Sequence, residues 1–115
     1  MNRSQIIGTF IRILEHLSDR DYQQRVWIRG EGSEIDDFDE TVCHFFQEAD
    51  GIIEKYREFG IGEQLYQQLI HFRKEFQEFS GENDFPEEFI DTLEWKEIMG
   101  LAKELGKSFR IESFS

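Results

Sequence analysis

From Leu65 to Phe79 the large apolar residues fall at steps of four, three, four and three: Leu65, Leu69, Phe72, Phe76 and Phe79. Trp95, Ile98, Ala102, Leu105 and Phe109 follow at three, four, three and four. Such steps average to the helical repeat and place every one of these side chains on one face; a strand would alternate at every second residue. A helix with one apolar stripe has to cover it with another element, so a chain carrying several stripes folds as helices around a shared core. Ile6, Phe10, Ile13, Leu14 and Leu17 make a third stripe. Phe38, Val42, Phe45, Ala49, Ile52, Ile53 and Tyr56 make a fourth, weakened by Gly51 at roughly 1 kcal/mol relative to Ala. RVWIRG is the sole candidate strand, and it is short. The expectation is an all-α fold: a single helical domain over residues 1–115, a bundle of four or five helices.

Local signals set the expected boundaries. Ser18 with Asp21 has capping spacing and would open a short helix through about Trp27. GEGSE, with Gly30 and Gly32 around Glu31, reads as a loop. Asp36 or Asp37 can cap the next helix, and Asp37 with Glu40 has capping-box spacing. Gly60-Ile61-Gly62 predicts a tight antiparallel hairpin. SGEND reads as a loop, Pro86 with Glu87 and Glu88 as a helix start, and Thr92 as the cap of a last helix. The tail RIESFS is expected to fray or to pack as a short extended piece. MNRSQIIGTFIRILEHL is interrupted by Arg12 and Glu15 and is followed by no small-residue cleavage site, so it reads as a helix of the mature protein. Nothing approaches the ~18 consecutive apolar residues of a membrane span.

Thirteen basic against 25 acidic side chains leave a net charge of −12, which disfavours binding to nucleic acid through its phosphates and to anionic membranes. The excess lies in two blocks: residues 31–54 hold nine acids and no base, and residues 82–94 hold six acids and no base. The densest part comprises Glu31, Glu34, Asp36, Asp37, Asp39 and Glu40. Such a cluster serves solubility and capping, or it forms a docking surface that speeds capture of a cationic protein. The sharper reading assigns these six residues to partner binding, with residues 82–91 as the second choice. Trp27 and Phe38 flank the first segment and are either core residues or aromatic anchors.

No cofactor and no catalytic residue is expected. Asp37 and Asp39 fit two places of a calcium loop, but no Gly follows in register. Glu40, His44 and Glu48 share one helical face, yet the Glu-x-x-His pairs of bundle metal sites are absent from the sequence. Cys43 and His44 are neighbours that point about 100° apart on a helix and so make no nucleophile–base pair; Cys43, the one cysteine, reads as a small buried residue. A lone cysteine permits no intramolecular disulfide and suits a reducing cytoplasm. GEGSE lacks the Lys and the spacing of a phosphate-binding loop.

The stretches VWIRGEGSEIDDFDETVCHFF, FRKEFQEFS and PEEFIDTLEWKEIM resemble small acidic bacterial immunity-type proteins, including the cognate inhibitors of contact-dependent growth inhibition systems. The likeness is one of size, acidity and aromatic content along most of the chain. It implies a cytoplasmic, non-enzymatic protein that binds one toxin and blocks its active site or substrate route. A nucleic-acid-directed toxin holds phosphates on a basic surface, to which an acidic inhibitor is complementary. Two other readings stand beside it. One is a structural or regulatory helical module acting as a homo-oligomer, with the stripes at residues 62–80 and 95–109 as a dimer seam. The other is a metal-dependent enzyme using Glu40, His44 and Glu48.

Overall fold

The computed structural model describes residues 3–31 and 37–114, with side chains to residue 112. Four long helices carry the stripes: α1 (Arg3–Leu17), α3 (Phe38–Glu54), α4 (Glu63–Glu82) and α6 (Leu93–Phe114). Two short pieces lie between them: α2 (Arg20–Tyr22), which runs on as a π-helical stretch Gln23–Ile28, and α5 (Pro86–Phe89). No strand occurs among the described residues.

Contacts fix the topology. Arg3 donates to the Glu58 carbonyl at one end of the α1–α3 pair, and Phe10 meets Phe45 farther along, so α1 and α3 run antiparallel. Tyr56 stacks on Tyr66 while Phe38 reaches Phe76, which makes α3 and α4 antiparallel. Gly62 N donates to Glu112 while Phe79 meets Trp95, and the same holds for α4 and α6. Phe10 against Phe109, with Arg110 paired to Glu15, closes the ring between α6 and α1. The result is an up-down-up-down four-helix bundle, the geometry that short connections favour. Its core is aromatic: Phe10, Phe45, Phe72, Phe76 and Phe109 meet mostly edge to face at 5.1–5.7 Å.

One end of the bundle is closed by α2, the π stretch and α5. Trp27 and Phe38 are both core residues here, 8% and 3% exposed. They contact each other and Trp95, and Phe38 also contacts Phe89. Gln23 is fully buried and spans two elements: its amide donates to the His16 carbonyl at 2.9 Å and accepts from Trp95 Nε1 at 2.9 Å. A buried amide with both ends satisfied ties the π stretch to α1 and α6.

Several local expectations need correction. Asp19, not Ser18, caps α2 by accepting from the Tyr22 N–H at 3.1 Å; the Ser18 hydroxyl turns back to the Glu15 carbonyl. RVWIRG begins in the π stretch and forms no strand, and its consecutive Val26 and Trp27 are both buried. The helix α3 ends at Glu54, and its link to α4 is longer than the Gly60-Ile61-Gly62 turn; Gly60 takes the positive φ of 74° that the turn requires. In that link the Tyr56 hydroxyl accepts from Arg57, which pushes the guanidinium pKa up, and donates to Glu63. Ser80, Gly81 and Glu82 of SGEND stay helical, and Asn83 closes α4 by donating to the Phe79 carbonyl. The tail is helical to Phe114 rather than frayed or extended, with Glu112 anchored to the Gly62 N–H. Cys43 is exposed: it sits two positions, about 200°, from both buried Thr41 and buried Phe45.

Candidate functional site

The antiparallel order places the N-termini of α3 and α6 and the C-terminus of α4 at the same end of the bundle. The two acidic blocks, far apart in sequence, therefore meet there. Phe38 opens α3 and lies 4.8 Å from Phe89 of α5. Asp39 and Glu40 are exposed in the first turn of α3, and Glu87, Glu88 and Glu94 are exposed on α5 and at the start of α6. No described Lys or Arg forms an ion pair with any of these five.

The six residues assigned from sequence divide by role. Glu34 and Asp36 lie outside the described residues. Glu31 is exposed and paired with Arg29 at 3.3 Å, so its charge is partly answered within the chain. Asp37 is the N-cap of α3, accepting from the Glu40 N–H at 2.7 Å. Asp39 and Glu40 are exposed in the first turn, where the helix dipole favours them. Replacing Asp37 with Ala should remove about 1 kcal/mol of stability through the lost cap, read as a lower denaturant midpoint. Asp39→Asn should leave that midpoint within about 0.5 kcal/mol. In the second block, Asp91 is paired with Arg20 at 2.5 Å, while Thr92 caps α6 by accepting from the Trp95 N–H.

A feature that block charges concealed lies on the side of this same end. A groove of about 310 Å³ runs between α4 and α6, walled by Glu75, Glu78 and Glu82 on α4 and by Glu94 and Glu97 on α6. Phe79, Ile98 and Leu101 form its floor, and no Lys or Arg lines it. Residues 55–81 balance in charge, which hid Glu75 and Glu78 from a count by blocks; the spacing i, i+3, i+7 of Glu75, Glu78 and Glu82 was the available signal. Three of the four cations of α6 face elsewhere: Lys103, Lys107 and Arg110 line a small depression against α1 beside Glu15.

Exposed apolar side chains sit at this end as well. Phe85 is 57% and Leu93 76% exposed. Trp27 and Phe38 are core residues and offer no anchor to a partner, whereas Phe85 and Leu93 are exposed.

Glu40, His44 and Glu48 share a face of α3, but no group of three or more His, Cys, Asp or Glu among the described residues is placed to hold a metal ion. No described helix is long and apolar enough to cross a membrane. No family model, curated protein or solved structure matches the chain.

Proposed function

We propose that this chain is a non-enzymatic acidic binding protein that neutralises a basic protein partner, of the kind an immunity protein makes with a toxin domain in the cytoplasm. The observation that carries the reading is the meeting of both acidic blocks at one end of the bundle, with carboxylates left unpaired and with Phe85 and Leu93 exposed among them. Unpaired like charges repel and destabilise the compact state, and a cationic partner would relieve that strain. The same field speeds encounter with a basic surface, and apolar anchors slow release once contact is made. Asp39, Glu40, Glu87, Glu88 and the α4–α6 glutamates supply the field, with Glu31, Glu34 and Asp36 in the adjoining segment.

The test is affinity capture from the native source, washed across a salt series, with bound proteins identified by mass. One basic protein retained at low salt and released progressively as salt rises is the expected result. Recovery of no basic protein, or retention indifferent to salt, sinks the reading.

A further inference from the structure

A second groove lies at the opposite end of the bundle, between α1 and α3, and its lining carries both signs. It is the larger of the two, about 460 Å³. Ile6 and Phe59 give it apolar lining, with Arg3 from the α1 side and Glu48, Glu54, Lys55 and Glu58 from α3 and the link that follows it. Helical phase extends the contrast along the face: Arg12 projects from α1, and Glu40 and Glu48 project from α3. Gly51 stands in the middle of the α3 wall, exposed, and a Cβ there would meet nothing within 4 Å. Glycine in a helix interior costs roughly 1 kcal/mol relative to Ala, and no described residue crowds this position, as none crowds Gly8, Gly81 or Gly100.

We propose that this face docks a second copy of the chain. The argument is self-complementarity. In a twofold dimer each patch meets itself, so the patch must carry both signs, arranged to interchange. A twofold axis parallel to the bundle axis sets each α1 opposite α3 of the other copy at unchanged height. Because α1 and α3 are antiparallel, with Phe10 level with Phe45, Arg12 of one copy then comes level with Cys43 of the other, between Glu40 and Glu48. Gly51, level with the first turn of α1, leaves no side chain at that edge of the contact and lets the partner's α1 approach closely there. The net charge of −12, and the acidic ends that this axis sets at the same height, oppose self-association. Two helices side by side offer a face of roughly 20 Å by 20 Å. That is smaller than the ~800 Å² per partner of a standard interface, so the dimer is weak and concentration-dependent.

Sedimentation equilibrium over a wide concentration range tests this. For the full chain at low salt, the average mass should climb from 13.8 kDa toward twice that value. Gly51→Trp, which has open space within the protomer, should hold the mass at the monomer value. Arg12→Glu should weaken the dimer by roughly tenfold or more, and the paired reversal Arg12→Glu with Glu48→Lys should recover most of the loss. A mass of 13.8 kDa at every concentration overturns the proposal. So does a dimer indifferent to both Gly51→Trp and Arg12→Glu.

Discussion

Trp95→Ala should remove about 3–5 kcal/mol of stability, the scale of a large aromatic deleted from a packed core. Trp95 is fully buried and is the point at which the closed end of the bundle is joined together. Its ring meets Trp27, Phe38, Phe79 and Phe89 at 4.8–6.1 Å, so the truncation withdraws contacts from the π stretch, α3, α4 and α5 together. It also leaves Gln23 Oε1 without the indole N–H that satisfies it, and a buried acceptor without a donor is itself destabilising by about 1–3 kcal/mol. Against a total of about 5–15 kcal/mol for a domain, this is a large fraction. Thermal unfolding followed by circular dichroism should show the midpoint falling by more than about 10 °C. Trp95→Phe separates the two effects, because it keeps most of the ring and loses only the hydrogen bond; it should fall between wild type and Trp95→Ala. A midpoint for Trp95→Ala within about 2 °C of wild type would mean that the end of the bundle is not closed in this way.

The second large effect belongs to the acidic end. The combined variant Asp39→Asn, Glu40→Gln, Glu87→Gln, Glu88→Gln touches no cap and no ion pair seen in the structure. It should slow association with the captured basic partner by about 10-fold or more, in the range ascribed to electrostatic steering. Dissociation should change far less, because it depends on the buried part of the contact. Stability should change little, since relief of like-charge repulsion is offset by the lost interaction of first-turn acids with the helix dipoles. Surface-binding kinetics separate the two rates. An unchanged association rate would show that the partner approaches another surface. The same set extended to Glu78, Glu82, Glu94 and Glu97 asks whether the α4–α6 groove shares in the capture.

The stripes Leu65–Phe79 and Trp95–Phe109 were legible because a helix repeats and its buried face recurs at a fixed phase; each of their named residues is buried. The caps at Asp37 and Thr92 were legible for the same reason, since a capping side chain needs a fixed spacing to the N–H that it accepts from. What the sequence concealed was tertiary. RVWIRG has strand-like composition, yet Trp27 is held by Trp95 and Phe38, and the chain takes a wide π turn to bury Val26 and Trp27 together. The helical tail depends on Glu112 reaching the Gly62 N–H, a contact 50 residues away in sequence.

For the candidate site, block charges pointed to residues 31–40 and 82–91 separately. That the two blocks share one end follows from the antiparallel order of four helices, which no local pattern encodes. The carboxylate of Asp37 turned out to be engaged in capping and that of Glu31 in an ion pair. The groove glutamates Glu75, Glu78 and Glu97 were missed because nearby lysines and arginines cancelled them in the count, although none of these lines the groove.

The most direct measurement of the central claim is the association rate of the wild-type chain with its captured basic partner as ionic strength is raised. Steering by an unpaired acidic end predicts a rate that falls steeply with salt, as screening over a Debye length of about 8–10 Å near physiological salt requires, with a clearly shallower fall in the neutralised variant. A rate that does not respond to salt, or a variant that follows the wild-type curve, would contradict the account.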